Sequence, residues 1–295
     1  MFLPNSGFTM TRTASACKSP ARNSGAPDRL VQARALILCA LPYQPTQNRS
    51  VTRMARIGRE AFLRVTFTSV DEGVPLAFGA DRALLGWMQT RAYPNGFVAF
   101  DTLSEYFRDF GLGASGREYL QFRQRLRRIE SLAITVAIDS PGAEARLRLH
   151  PLKKSLLPNS SGGSPTMSPG SFIRRRYGFE LDPDFWRYLR ANPVPLPLPL
   201  MRRFHNRPQA WDLAAFVLYR TYVAKSPAVI PWAELIAQLG STDRYPYRLR
   251  GALDRVLAEV RGAYPSFPGR FLPGLGGLIL DAWRPSEVER LKANR

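Results

Sequence analysis

Two stretches of the chain place arginine beside glutamine or tyrosine at helical spacing, a combination that can bond the edges of nucleic-acid bases. On a helical wheel, the side chains opposite the apolar stripe of the first stretch are Arg117, Gln121, Gln124 and Arg128, and those on its flanks are Arg123, Arg125 and Arg127. In the second stretch the outward residues are Arg244, Tyr247, Arg248 and Arg255. A guanidinium pairs with guanine, a glutamine amide pairs with adenine, and flanking arginines suit phosphates. Both stretches are therefore predicted to contact double-stranded DNA.

The alternative is that these arginines are ordinary solvated charge, produced by the base composition of the gene or needed for solubility. A solvated helix face more often mixes both signs of charge, and the acids in and beside the two stretches, among them Glu118, Asp254 and Glu259, are fewer than the arginines. The whole chain has 42 Lys plus Arg against 23 Asp plus Glu, for a net charge of +19, and arginine supplies nearly all of the positive charge. This distribution favours nucleic acid as the partner.

Residues that could carry out catalysis are sparse. No lysine follows a glycine, so the phosphate-binding loop of nucleotide-driven motors is absent. His150 and His205 stand alone, without the spacing of a zinc site or a catalytic triad. Carboxylates such as Glu105, Asp109 and Glu234 show no clustering. We therefore expect a protein that is not an enzyme and needs no cofactor or metal.

The elements that carry the first stretch follow an informative order. Apolar spacing and turn residues predict a helix over 81–93, a strand over 97–100, a helix over 103–110 ended by Gly111, a longer helix over 116–131, and a hairpin from 133–138 and 146–149. This is the order of a winged helix, a helix-turn-helix variant whose third helix can enter a major groove.

The second stretch lies in the same order of elements. Helices are predicted over 211–222, 231–239 and 247–263, with a strand over 228–230, a stop at Gly240 and a last strand over 278–280. Because equivalent positions are separated by 129 or 130 residues, we interpret the chain as two copies of one module. The predicted fold class is α+β and mainly helical, with two tandem winged-helix domains and small β-hairpin wings.

Composition sets the expected boundaries of the modules. Residues 1–48 are predicted to be a flexible basic leader, 49–157 the first winged-helix domain, 158–170 a linker, and 171–295 the second domain. After the linker, Arg174, Arg175 and Arg176 could grip the DNA backbone, as could Arg146, Arg148, Lys153 and Lys154, although each could equally be surface charge without a role. The segment 194–201, VPLPLPLM, fits packing against the second module better than a polyproline ligand.

The cysteines and the apolar runs point to the cytoplasm. Cys17 and Cys39 form no C-x-x-C pair, which suits a reducing compartment. No apolar run approaches the roughly 18 residues of a membrane span, and the run at 35–41 lacks the features of an export signal.

Motifs spread over about 41–285 resemble those of the plasmid-encoded RepA-type replication initiators. In the first half these are LPYQ at 41–44, VPLAFGADRALLGWM at 74–88 and LSEYFRDFGL at 103–112. In the second half they are PVP at 193–195, WDLA at 211–214, YR at 219–220, IPWAEL at 230–235 and AYP at 263–265. The sequence departs from the family at 77–79, where Ala-Phe-Gly replaces the usual Tyr-Gly, and in the short glycine-rich stretch between the two helices of the first module.

This resemblance implies tandem winged helices that bind short direct repeats, or iterons, in a plasmid origin. It also implies that the protein helps to open the duplex, brings in the host initiator and replicative helicase, and forms possible homodimers that repress its own promoter. A winged-helix repressor without initiator activity is the alternative, and a nicking initiator is a third possibility against which the missing histidine pair argues.

Overall fold

The computed structural model describes residues 28–100, 102–157, 177–240, 246–272 and 276–286. Of the predicted features, the segment 158–170, the arginine run 174–176 and Arg244 lie outside these residues. The described part of the chain is an α+β structure built from helices and several small sheets.

The elements follow one another in two series along the chain. The first series is β1 (Arg29–Ala33), α1 (Arg34–Leu38), β2 (Ser50–Arg56), β3 (Phe62–Ser69), α2 (Asp81–Ala92), β4 (Phe97–Phe100), α3 (Ser104–Phe110), α4 (Gly116–Glu130), β5 (Leu132–Ser140), β6 (Ala143–Leu149) and β7 (Leu152–Leu156). The second series is β8 (Tyr177–Leu181), α5 (Pro183–Ala191), β9 (Pro193–Pro197), α6 (Leu198–Arg202), α7 (Pro208–Val223), β10 (Ala228–Pro231), α8 (Trp232–Leu239), α9 (Pro246–Ala263), β11 (Arg270–Phe271) and β12 (Gly277–Leu280).

The predicted order of helix, strand, helix and long helix is confirmed in both halves. In the first half α3 ends at Gly111 with φ 65°, and in the second α8 ends at Gly240 with φ 61°. Both glycines adopt the left-handed conformation that side chains with a Cβ disfavour, which is why glycine ends both helices. The Ser115 hydroxyl then accepts the Glu118 N–H at 3.3 Å and begins α4.

Two small sheets repeat the same strand order. The strand before the helix pair lies at the edge of each, in the orders β4-β8-β7 and β10-β12-β11. The first sheet pairs Phe97 with Glu180 and Leu152 with Leu181. The hairpin that follows β4 in this sheet is therefore β7 and β8, and the residues 158–176 that join them include the segment expected to link two domains.

The hairpin predicted over 133–149 forms as β5 and β6, but it lies in a different sheet from β4. It continues a four-stranded antiparallel sheet in the order β2-β3-β5-β6, in which Thr66 lies opposite Thr135 and Thr135 opposite Arg148. The prediction of two neighbouring strands was correct. Their assignment as the wing beside β4 does not match the structure, because β3 and β5 pair along eight residues and β8 takes the place next to β4.

The end of the expected leader belongs to the core. β1 pairs with β9, and the Arg34 N–H donates to the Asn192 carbonyl at 3.0 Å. The apolar run at 35–41 is buried throughout, which explains its composition without a membrane or an export role. Residues 28–41 thus depart from the expectation of a flexible leader, and the remaining residues of that segment before 28 lie outside the described part.

The proline and leucine repeat at 194–201 packs, as expected, although its partner is β1. Leu196 and Leu198 are buried, whereas Pro195 is exposed, so alternate residues of the extended segment reach the core. β9 therefore connects the segment at the start of the described chain to the second series of elements.

A buried ion pair joins α2 in the first half to α7 in the second. The Arg82 guanidinium on α2 bonds the Asp212 carboxylate on α7, and it also donates to the carbonyl oxygens of Leu41 at 3.0 Å and Pro42 at 2.8 Å. Burial lowers the pKa of Arg82 to about 10, which still leaves the guanidinium charged at neutral pH. The Arg82 guanidinium carbon also lies 5.0 Å from the centre of the Tyr43 ring. The two halves are thus held in one arrangement around this pair.

Candidate nucleic-acid interface

Helix α4 is held against the protein by an aromatic and aliphatic face. Phe122, Leu126 and Ile129 are fully buried, and the Phe122 ring lies 5.3 Å from that of Tyr106 on α3. The Tyr119 hydroxyl bonds that of Ser104 at 2.9 Å. These contacts fix the rotation of α4 about its own axis, so its opposite side must face solvent.

Helix α3 is anchored in turn by a buried carboxylate. Asp109 accepts hydrogen bonds from the Trp87 indole at 2.8 Å and from the Arg91 guanidinium at 2.8 Å, both on α2. Because α2, α3 and α4 are linked in this way, the outer face of α4 is presented on a rigid support.

The predicted reading residues of α4 differ in exposure. Arg117, Gln124 and Arg127 are exposed, whereas Gln121 and Arg123 are half-buried. Arg117 and Gln124 lie toward solvent on the side opposite the buried stripe, as the wheel predicted, and Arg127 is an exposed residue of the flank. Together with the half-buried Gln121, these residues form an outward surface that we call the α4 ridge, made of Arg117, Gln121, Gln124 and Arg127.

Arg125 and Arg128 point toward the protein from the sides of this ridge. The Arg125 guanidinium donates to the Gln121 amide oxygen at 3.3 Å and bonds the buried Tyr106 hydroxyl. Arg125 therefore positions a ridge residue, in addition to any contact it makes with phosphate.

Arg128 is engaged by an acidic partner that the sequence did not indicate. Its Nε and Nη2 atoms donate to the two carboxylate oxygens of Asp81 at 2.7 and 2.8 Å, and its guanidinium lies 4.5 Å from the Phe78 ring centre. The Arg128 side chain is 15% exposed and that of Asp81 is 1% exposed. This two-point pair ties the end of α4 to the start of α2, and the role of Arg128 in DNA contact stays a prediction.

Helix α9 repeats the arrangement in the second half. The apolar residues that repeat at helical spacing along α9 are buried, namely Leu249, Leu253, Val256, Leu257 and Val260. Tyr247, Arg248 and Arg255 are exposed on the other side. Arg250 is a further exposed arginine that the wheel did not single out, and its guanidinium lies 5.2 Å from the Phe271 ring centre.

The weaker candidates for backbone contact are distributed over two sheets. Arg148 and Lys154 are exposed, Arg146 bonds Glu144 at 2.8 Å and Lys153 bonds Glu180 at 2.8 Å. Exposed ion pairs of this kind contribute little to stability, so these side chains remain accessible to another anion.

The described residues were compared with the requirements of a metal cluster and of a membrane-spanning helix. Within them, no group of three or more His, Cys, Asp or Glu side chains is placed to hold a metal ion. Among the described helices, none is both long enough and apolar enough to cross a bilayer.

Comparison with solved structures shows a related fold. The chain is similar to domains 2-3 of RctB. A crystal structure of RctB-155-483 aligns with a TM-score of 0.51 at 15% sequence identity, over 87% of this chain and 99% of that one. A second structure of RctB domains 2 and 3 aligns with a TM-score of 0.48 at 13% identity. No family model matches the sequence, and no curated protein matches it either.

Proposed function

We propose that this protein is a replication initiator of the plasmid type that binds double-stranded DNA at repeated origin sites. The observation that carries the proposal is the repetition, in both halves, of a strand, a short helix ended by a left-handed glycine and a long helix with arginine on its outer face. The similarity to domains 2-3 of RctB supports the proposal at the level of the fold.

In this proposal each half is a winged helix, and α4 and α9 are the recognition helices. The N-terminal part of the α4 ridge is the part accessible to DNA, because Arg128 near the C-terminal end of α4 is bonded to Asp81. Recognition helices contact base edges mainly through their N-terminal residues. Arg117, Gln121 and Gln124 are therefore assigned to bases, and Arg123, Arg125 and Arg127 to phosphates.

On α9 the same logic assigns Tyr247 and Arg248 to the groove and Arg255 to the backbone. The two helices would engage successive major grooves about one helical turn apart. The binding energy would then offset local opening of the duplex, with the host initiator and replicative helicase as further partners, and the protein itself would contribute no catalytic step.

The test is a titration of the full chain against labelled duplexes that carry the iterated sites next to its gene or a random sequence. We expect Arg117→Ala and Gln124→Ala to weaken binding to the repeats by about 1 to 3 kcal/mol at the contacted base, with a smaller effect on random duplex. Arg187→Ala is the matched control, because this arginine on α5 is exposed and lies outside both helix pairs.

Equal losses of affinity for the repeats and for random duplex would show that the α4 ridge contacts phosphates and does not read bases. Specific binding without origin melting, together with replication of a plasmid that lacks the gene, would make the protein a repressor. Cleavage of a supercoiled origin plasmid would show a nicking initiator and contradict the assignment without catalysis.

A further inference from the structure

A cleft lies along β2, where the first half of the chain meets the second. Its volume is about 970 Å³. The walls come from the segment 42–48, from residues 50–54 of β2 and, across from them, from the end of α8 at Ile236, Ala237 and Gly240. Among the described residues that line it there is no aspartate or glutamate. The cleft therefore has no acidic group of its own to balance a positive charge.

A positive charge is present in this cleft. The Arg53 guanidinium lies so close to Gly240 that a Cβ there would overlap it, and the Arg53 Nε atom is buried without a hydrogen-bond partner among the described residues. The Tyr43 hydroxyl beside it is also buried without such a partner. The second lining arginine, Arg64, is bonded to Asp139. Because a buried donor without an acceptor is costly, Arg53 favours a ligand that brings an anionic oxygen.

The backbone of β2 supplies a second recognition element. The Ser69 N–H donates to the Arg49 carbonyl at 2.8 Å, and the Ile57 N–H donates to the Ala61 carbonyl at 2.9 Å. Arg49 and Ile57 therefore occupy hydrogen-bonded positions, and in an antiparallel pair these positions alternate along the strand. The backbone N–H and C=O groups of the odd-numbered residues of β2 accordingly point toward β3. The N–H and C=O groups of Thr52 and Met54 therefore point away from β3, and β2 has no second neighbouring strand in the described part of the chain.

We propose that this cleft binds an extended peptide segment of a protein partner, which adds a strand to β2 and places an acidic side chain on Arg53. A free strand edge offers donors and acceptors in alternation, which matches another peptide backbone. A DNA strand offers its phosphates only as acceptors, so the outward carbonyls of Thr52 and Met54 would oppose it. The site goes beyond DNA binding, because it lies on β2 and α8 and uses no residue of the α4 ridge.

Peptide selection on the full chain tests the proposal. A phage library of random twelve-residue peptides is selected at about 0.3 M salt, which screens non-specific attraction to so basic a protein. We expect enrichment of peptides with Asp or Glu inside a run of strand-forming residues. The enriched peptide is then synthesised and its affinity measured for the wild-type chain and for three variants.

Arg53→Met and Thr52→Pro each remove one recognition element. Proline at position 52 deletes an N–H that points into the cleft and keeps the pairing of β2 with β3. Both variants are expected to bind the peptide about tenfold more weakly or worse. Arg59→Met is the matched control, because Arg59 is exposed in the turn after β2 and should leave the affinity unchanged.

One further measurement needs no variant. The same peptide methylated on alternate backbone nitrogens keeps its charge but cannot pair with β2, and it should fail to bind the wild-type chain. Absence of enrichment, enrichment without an acidic residue, or equal affinity for the wild-type chain and Arg53→Met would each overturn the proposal. Displacement of the peptide by random duplex DNA, with Arg53→Met weakening both ligands alike, would identify the cleft as a DNA contact instead.

Discussion

Replacement of Arg128 by alanine separates a structural role of this residue from a reading role. In the native fold the Asp81 side chain is 1% exposed, and its carboxylate accepts two hydrogen bonds from Arg128 and one from the Phe78 N–H at 3.0 Å. The substitution would remove the two bonds from Arg128 and keep the bond from Phe78. Removing one partner of a buried ion pair costs about 3 to 5 kcal/mol. Since the Arg128 side chain is itself 15% exposed, the lower end of this range applies.

A loss of about 3 kcal/mol in the free energy of unfolding lowers the melting temperature by about 6 to 12 °C in a protein of this size. The measurement is thermal unfolding followed by circular dichroism, with urea unfolding as an independent estimate. Arg127→Ala is the matched control, because it makes the same change one residue earlier on the exposed side of α4. We expect its melting temperature to stay within about 2 °C of the wild type.

The double variant Asp81→Leu with Arg128→Met tests the cause of the loss. It removes both charges, so it should recover most of the stability that Arg128→Ala loses. An unchanged melting temperature for Arg128→Ala, with a loss of affinity confined to origin repeats, would refute the structural role and assign Arg128 to base reading.

Two further predictions follow from the structure. Gly111→Ala and Gly240→Ala should each cost about 1 to 2 kcal/mol from the left-handed backbone, and in Gly240→Ala the flexible end of the Arg53 side chain must also move away from the new Cβ. Urea unfolding of both variants measures the losses, and an unchanged stability of either variant would contradict the reasoning. Burial raises the pKa of Tyr43 and of Tyr106 to about 12, so these phenols stay protonated in the native state when unfolded tyrosine already ionises. Their contribution to stability is complete below about pH 10 and is lost as the pH rises toward 12, and a spectroscopic tyrosine titration in which every phenol ionises near pH 10 before unfolding would exclude this.

Much of the local structure could be predicted because it depends on neighbours within one or two turns. The apolar stripe of α9 from Leu249 to Val260 repeats at helical spacing, and all of it is buried. Gly111 and Gly240 end the short helices for a reason that belongs to each residue alone. The exposed arginines of α4 follow from the same stripe, since the side opposite a buried face must meet solvent.

Pairing over long distances could not be predicted in the same way. β4 pairs with β8 across about eighty residues, and β1 pairs with β9 across 160 to 168 residues. The residues of a strand do not by themselves indicate which strand it pairs with. For this reason the local pattern predicts a wing at β5 and β6 and flexibility at residues 28–41, although the structure shows neither. Strand registers depend on contacts between whole elements, which a single sequence does not display.

By itself the sequence determined the basic, arginine-rich character of this chain, the type and order of most of its elements, and the side of each long helix that faces outward. These properties come from local backbone preferences and from the periodicity of apolar residues. The tertiary structure alone decided that Arg128 binds Asp81, that Arg82 joins the two halves through Asp212, and that Arg53 lines a cleft beside β2 with its Nε atom unpartnered among the described residues. Each of these depends on residues far apart in the chain that approach one another only when the core is formed.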